Sequence, residues 1–343
     1  MISKFRTDLV ILMPLVEDTP ENAERFSVRY AGLARALQRN EVETCFVTSH
    51  ASFNPFDHSF SAPYDINRQV LGAKVQPRFV RDLTLSLRQR PLYADRSITM
   101  LHHPVVNHFI ADKSSIYAAM PDVHPRTQKI SEKGLGFIFD LLDGERVIVK
   151  PITGQRSEGI QILDKNSEIN LKPGSYLVQE FIDTSGGMPE HNIHGIHNLR
   201  IISVASEAIG GIARLKGSAD TDILQDDHYG AFVHPDDMSD EIHAIINAVH
   251  DELRSKPGNG NNVIAIDVMR GIDAHGTMRD VLCEVNQRPV RIGPWNLRNP
   301  KNLDKDAIIQ IGSLWDEAEA AMLAGLVHGF DTLEKYEENL SRR

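Results

Sequence analysis

Apolar residues fall in short blocks at two spacings. Asp8–Met13 (DLVILM) is an apolar run too short for a helix, and it leads into Pro14, which predicts a buried strand. From Glu24 to Arg39, Phe26, Tyr30, Leu33 and Leu37 recur at three- and four-residue steps with Arg and Glu between them, the pattern of an amphipathic helix. Val42–Thr48 (VETCFVT) predicts a second strand. Strand, helix and strand in this spacing make a βαβ unit and imply a parallel sheet. Between residues 50 and 100 the chain is broken by Pro55, Pro63, Pro77 and Pro91. That stretch reads as loops with a weak strand and a helix near Val80–Gln89, followed by a short strand at Thr99–His103.

The pattern changes after about residue 105. Val147–Lys150, Gln161–Leu163 and Tyr176–Ile182 (YLVQEFI) predict strands. Leu199–Ala205 and Ala208–Leu215 form an antiparallel pair about a tight turn at Ser206 and Glu207. Ser239 can cap a helix over Asp240–Arg254: its hydroxyl can accept from free backbone N–H groups, and Asp240 and Glu241 suit the positive helix end. Ile242, Ile245, Ile246 and Val249 give that helix an apolar face, and Pro257-Gly258 ends it. Val263–Met269 and Val281–Asn286 are two strands of a hairpin with a longer loop holding Gly271 and Gly276. The tail from Lys305 to Leu340 is mostly helical.

Composition narrows the classes. At 343 residues the chain makes two domains, or one enzyme built of lobes. A net charge of −10 makes it a poor candidate for tracking nucleic-acid phosphates. Cys45 and Cys283 are far apart in sequence and lie in apolar strands, which argues against a disulfide scaffold and for a reducing cytosol. The N-terminus lacks a signal-peptide cleavage site, and no window reaches the apolar length of a membrane span. A cytoplasmic protein with no nucleic-acid or membrane partner is the expectation; a homodimer is only the base-rate state.

The strongest chemical constellation is the hairpin VIAIDVM…VLCEVN. Glu284 and Asn286 are two apart and share a face, and Asp267 on the partner strand joins them if the register allows. Two carboxylates and an amide oxygen are hard donors suited to Mg²⁺; ordinary outward-facing polar residues are the alternative reading. Val149-Lys150-Pro151 runs into a polar loop with Gly154, Ser157 and Gly159, which can approach an anion with backbone N–H groups, or be a plain glycine turn. Gln179-Glu180 ends an apolar strand before Phe181, Ile182 and Asp183, placing charge where burial is expected. Asp112-Lys113 opens a helix-like stretch. His191, His194 and His197 (HNIHGIH) invite a zinc reading, but the surrounding glycines and Pro189 favour a mobile loop over a substrate. His102-His103 reads as packing at a strand end, and strand alternation turns Cys283 away from Glu284 into the core.

In this order and spacing, Asp112-Lys113, Val149-Lys150-Pro151 with Gly154 and Gly159, Gln179-Glu180-Phe181-Ile182, and Asp267 with Glu284-Val285-Asn286 resemble the ATP-grasp superfamily of carboxylate–amine ligases, over roughly residues 107–300. The resemblance implies an α/β and α+β protein. Two α+β lobes, 107–185 and 186–300, would clasp ATP after a Rossmann-like α/β domain at 1–106, with a helical tail at 301–343. It also implies roles. Lys113 and Lys150 would contact ATP phosphates. The loop with Gly154, Ser157 and Gly159 would close over them. Gln179, Glu180, Phe181 and Ile182 would line the adenine site, with Asp183 at the ribose. Asp267, Glu284 and Asn286 would hold Mg²⁺, with Mn²⁺ as an alternative. Arg200, in Asn198-Leu199-Arg200, and Arg214 would face the transferred phosphate, with Lys150 as a catalytic cation. By their charge Arg288 and Arg291, with Lys216, would read an anionic group on the substrate; a solvated turn is the alternative reading of the two arginines. The implied reaction activates a carboxylate as an acyl phosphate for attack by an amine, on amino-acid or peptide substrates. A phosphotransferase acting on a hydroxyl and a nucleotide-binding module without catalysis are the alternatives. The stretch 218–233 departs from the family in its acidity.

Overall fold

A computed structural model describes residues 4–13, 20–65, 67, 69–82, 92, 95, 97–101, 104–130, 142, 144–152, 158–165, 167, 174–204, 206–216, 228–256, 263–286 and 305–328. Three sheets follow one another along the chain.

The first sheet contains β1 (Lys4–Leu12), β2 (Thr44–Val47), β3 (Phe53–Asn54), β4 (Ser59–Phe60), β5 (Lys74–Asp82) and β6 (Thr99–Leu101). Its central strands are parallel in the order β2-β1-β5-β6. The helix α1 (Pro20–Arg39) connects β1 to β2, as the periodicity predicts. The β3–β4 hairpin joins the start of β5. Val80–Asp82 corrects the sequence reading: these residues end a strand and do not open a helix. The physical reason is pairing on both sides, Val80, Arg81 and Asp82 with β1 and Val80 and Arg81 with β6, in a strand uninterrupted by Pro77. Pro77 lies between Val75, which pairs with β4, and Phe79, where pairing with β6 begins. A missing N–H there costs that side of β5 no ladder bond. The rest of the expected helix, 83–89, and His102-His103 lie outside the described residues.

Two short helices follow, α2 (Pro104–Ala111) and α3 (Lys113–Ala119). The second sheet is antiparallel, with β7 (Thr127–Lys129), β8 (Arg146–Pro151), β9 (Gln161–Asp164) and β10 (Tyr176–Glu180) in the order β7-β10-β8-β9. The third sheet is also antiparallel. It has β11 (His197–Val204), β12 (Glu207–Leu215), β13 (His228–Val233), β14 (Val263–Ile272) and β15 (Met278–Asn286) in the order β13-β12-β11-β14-β15.

Alternation along the third sheet divides its residues between two faces. Leu199, Ile201, Ile264, Ile266, Val268 and Leu282 face α4 (Asp240–Arg254) and pack on its Ile242, Ile245, Ile246, Val249 and Leu253. The predicted Ser239 cap is present: its Oγ accepts from Ile242 N at 3.2 Å. A cap of this kind contributes about 1 kcal/mol. The other face is split. Its apolar end, Ile202, Ile212, Val263 and Ala265, is sealed by α5 (Lys305–His328) in a cluster that also holds Leu9 and Ile11 of β1 and Leu33 and Leu37 of α1. The helix read from sequence as part of a tail is therefore a core element. Its Trp315, Leu323 and Val327 sit between the first and third sheets. Among the described residues no helix is long and apolar enough to cross a membrane.

The β14–β15 strands are longer than their apolar runs, so Gly271 lies in a strand and not in the connecting loop. There the second sheet's exit segment meets the third sheet: Asp183 N donates to Ile272 O at 2.9 Å and Ile272 N to Asp183 O at 3.0 Å. A Cβ on Gly271 would lie 2.5 Å from Asp183 O and 2.7 Å from Ile182 Cγ2. Glycine is required there by close backbone approach. Gly271→Ala is expected to lower stability by roughly 1–3 kcal/mol. Urea denaturation checks this, and an unchanged midpoint would show that the contact yields without cost.

Candidate functional site

The polar end of the divided face is set by strand register. Arg200 of β11 lies directly opposite Asp267 of β14, and Asp267 lies opposite Glu284 of β15. Asn286, opposite Ala265, follows Glu284 by two and shares its face. Arg214 follows Ile212, the partner of Arg200, by two. The predicted Asp267, Glu284 and Asn286 set and both predicted arginines are thereby brought together.

Asp267 is 1% exposed, and an unpaired carboxylate there would carry a large desolvation cost. It is fully paired. Arg200 donates through Nε to Oδ1 at 2.7 Å and through Nη2 to Oδ2 at 2.6 Å, a bidentate fork. Arg214 Nη1 donates to Oδ2 at 3.2 Å, and Asn286 Nδ2 approaches it at 3.4 Å. Glu284 is the open member of the set: its side chain is 36% exposed, with Lys113 Nζ 3.5 Å from Oε1. The donors are all oxygens, which suits a hard divalent ion. Among the described residues no group of three or more His, Cys, Asp or Glu side chains gathers to hold a metal. An ion on this face would therefore take Glu284, the Asn286 amide oxygen and whatever Asp267 exchanges from its arginines, and fill its other positions with water or phosphate.

Lys150 reaches the same space from the second sheet. Lys150 is paired with Leu177, so Gln179 lies diagonally across on the same face, with Thr127 opposite Gln179. Lys150 Nζ donates to Gln179 Oε1 at 2.6 Å, and Gln179 Nε2 donates to Thr127 Oγ1 at 2.9 Å. Burial opposes the charge on Lys150, but attraction to Tyr117, Cys283 and Glu284 outweighs it and holds its pKa above the usual lysine value. Gln179 thus orients the lysine; it was expected at adenine.

Asp112 and Lys113 have different jobs. Asp112 caps α3, accepting from Ser114 N at 2.9 Å, Ser114 Oγ at 2.6 Å and Ser115 Oγ at 2.9 Å. Burial would raise its pKa, and these donors more than reverse that, leaving it lowered. The cap sets the first turn from which Lys113 meets Glu284.

Glu180 departs most from expectation. Strand alternation turns it away from Lys150 and Gln179, and it is buried. Its carboxylate accepts from Arg126 N at 3.2 Å and Arg126 Nε at 3.4 Å, and across the sheets from Ala274 N at 3.3 Å and Arg279 Nη2 at 3.3 Å. The side chain ties the second sheet to the β14–β15 hairpin. Phe181 lies beneath the Arg146 guanidinium at 4.2 Å, and Ile182 is buried. Asp183 caps its own turn by accepting from Ser185 N at 2.9 Å. Gly159 has φ +73°, as a tight loop requires. Lys216 lies one residue past β12, its N–H bonded to Ile196 O at 3.1 Å. Gly154, Ser157, Arg288 and Arg291 lie outside the described residues.

Two readings are corrected. HNIHGIH is neither a histidine cluster nor a lid. His197 is buried in β11, His194 Nε2 contacts Asn192 Oδ1 at 3.0 Å, and Ile193 and Met188 belong to the core of the third sheet. Cys283 does not follow simple alternation. Asp267 pairs with Glu284 but Val268 with Leu282, so Cys283 is the extra residue of a β-bulge and stays half-buried beside the site. Burial raises its thiol pKa. Tyr117 and Arg126 were missed; Tyr117 could have been found as the residue one helical turn after Lys113.

No protein-family model matches the sequence, and no curated protein matches it. Solved structures share its fold. The ATP-grasp ligase PsnB, complexed with the precursor peptide PsnA2 and AMPPNP, is similar with a TM-score of 0.52 at 13% identity, over 92% of this chain and 97% of that one. D-alanine–D-alanine ligase from Bacillus anthracis gives 0.51 at 12% identity, over 97% and 99%. D-cycloserine synthetase DcsG gives 0.50 at 14% identity, over 93% and 99%.

The pairing of Asp267 makes an asymmetric prediction. Asp267→Ala removes the buried carboxylate that both guanidinium groups bond and is expected to lose roughly 3–5 kcal/mol. Glu284→Gln, at an open position, is expected to stay within about 0.5 kcal/mol. Urea midpoints of the two variants check this; equal losses would remove Asp267 as the charge anchor.

Proposed function

We propose that this chain, which has the ATP-grasp fold, is an ATP-dependent carboxylate–amine ligase that works through an acyl phosphate. One observation carries the reading. Lys113, Lys150, Arg200 and Arg214 arrive from α3, the second sheet and the third sheet around the oxygen donors Asp267, Glu284 and Asn286. Cations from separate elements around a hard-donor face suit phosphoryl transfer, where positioning and charge supply most of the rate. In this reading residues 107–185 and 186–300 are the clasping lobes, preceded by an α/β unit at 1–106 and followed by the helical segment 301–343.

The geometry supports a role for each residue. Lys150, held by Gln179, and Lys113, set by the Asp112 cap, bind ATP phosphates. Arg200 and Arg214 offer planar forks to the transferred phosphoryl group once Asp267 releases part of its bonding. Mg²⁺ bound at Asp267, Glu284 and Asn286 would neutralise phosphate charge. The carboxylate oxygen of the first substrate attacks the γ-phosphorus and ADP leaves. An amine then attacks the acyl carbon and inorganic phosphate leaves. No protein nucleophile is needed. The printed names of the neighbours, a D-alanine–D-alanine ligase and a ligase bound to a precursor peptide, support amino-acid or peptide substrates.

The test is Mg²⁺-dependent ATP turnover over a panel of amino acids, peptides and small acids, with and without hydroxylamine. ADP, phosphate and a hydroxamate are the expected products. AMP with pyrophosphate would overturn the acyl-phosphate route, and ADP with a stably phosphorylated product would make the protein a kinase. Lys150→Ala should lower turnover by about 100-fold or more with the fold intact.

A further inference from the structure

Among the described residues β15 is the edge strand of the third sheet, with no strand beside its outer backbone groups. Three consecutive residues of this edge are held by one short segment of chain. Leu282 O accepts from His124 Nδ1 at 2.8 Å. Cys283 O accepts from Tyr117 Oη–H at 3.2 Å. The Glu284 carboxylate meets Lys113 Nζ at 3.5 Å. The order runs backwards along the chain, 124, 117, 113 against 282, 283, 284, so the segment works as a clamp.

The clamp sits on an irregularity. Successive carbonyls of a regular strand point to opposite edges, so one neighbour cannot take two in a row. The bulge at Cys283 relaxes this rule, and the two bonds hold it in that form. A bulge re-aims the side chain beside it, and here that side chain is Glu284. The two donors also brace each other: the Tyr117 and His124 rings meet edge-on, with centroids 4.3 Å apart. Both side chains are buried, and Tyr117 lies beside Lys150. Burial, with the charge on Lys150, pushes His124 down to about 3 despite its carbonyl bond, so the ring is neutral. Its bond to a carbonyl then requires the proton on Nδ1.

We infer that Tyr117 and His124 are positioning residues that fix the β15 bulge and so aim Glu284 at the ion-binding face. This rests on the metal role proposed for Glu284. Neither residue touches ion or nucleotide, so their removal should appear in Mg²⁺ dependence. Outer groups of this kind typically change metal affinity by about 10- to 100-fold.

The experiment titrates Mg²⁺ into each variant with AMPPNP present, reading binding by calorimetry, and follows Mg²⁺ activation of turnover in parallel. Tyr117→Phe deletes one oxygen and keeps the ring. His124→Ala deletes the donor, and His124→Asn returns an N–H near the position of Nδ1. Tyr117→Phe and His124→Ala are expected to raise the half-saturating Mg²⁺ concentration about 10-fold, with metal-free nucleotide affinity unchanged in His124→Ala, and His124→Asn to restore the Mg²⁺ dependence. If His124→Ala fails to fold, Tyr117→Phe and His124→Asn carry the test. Wild-type Mg²⁺ dependence in Tyr117→Phe, beside a loss in Glu284→Gln, overturns the positioning role and leaves the metal site standing. Wild-type Mg²⁺ dependence in Glu284→Gln overturns the metal reading itself.

Discussion

The bidentate pair between Arg200 and Asp267 is the constraint from which the site follows. Both groups are buried, and each meets its opposite charge directly across on the neighbouring strand. A one-residue slip of β11 against β14 would send every side chain of the moved strand to the other face. It would turn Arg200 toward α4 and take Leu199 and Ile201 out of the core they form with that helix. Charge pairing and apolar burial therefore specify one register. The apolar end of the same face, Ile202, Val263 and Ala265 under α5, seals the neighbourhood in which the pair is held. Chemistry and core are two ends of one surface.

The second and third sheets are joined by two devices of different character. Backbone bonds between Asp183 and Ile272 fix the distance, and Gly271 allows the approach. The Glu180 carboxylate gathers Arg126 from one side and Ala274 N and Arg279 from the other. Nearby, Arg270 forks onto Asp280 at 2.8 and 2.7 Å, and Asp280 accepts from the Ser239 hydroxyl at 2.6 Å, linking the hairpin to the cap of α4. The far end of β15, at Glu284, is held separately by α3 and His124. The strand that carries Glu284 is thus anchored at both ends by side chains from outside its own sheet.

Much of this was readable from sequence where local pattern and chemistry agree. The Ser239 cap, the β11–β12 hairpin and the common face of Glu284 and Asn286 follow from short-range rules. The readings that failed depend on distant partners. Pro77 breaks a strand only if its N–H is needed, and that is decided by where β4 and β6 end. Cys283 left its expected face because the β14 register inserts a bulge. Glu180 and Gln179 were adjacent candidates for one task, and strand alternation gave them opposite faces and different work. Tyr117 and His124 carry no motif, because their function lies in two carbonyls that sequence does not display.

The position of α5 governs the order in which the molecule can be finished. Residues 305–328 complete a cluster whose other members include β1 and α1 near the start of the chain. During synthesis the first sheet emerges with that surface uncovered, and it stays so until nearly all of the described chain has left the ribosome. Contacts of such long sequence separation are slow to close, and the open surface is exposed to association meanwhile. The helix α5 is then a timing element: the sheet that bears the charge set and the first sheet acquire their shared interior in a single late step.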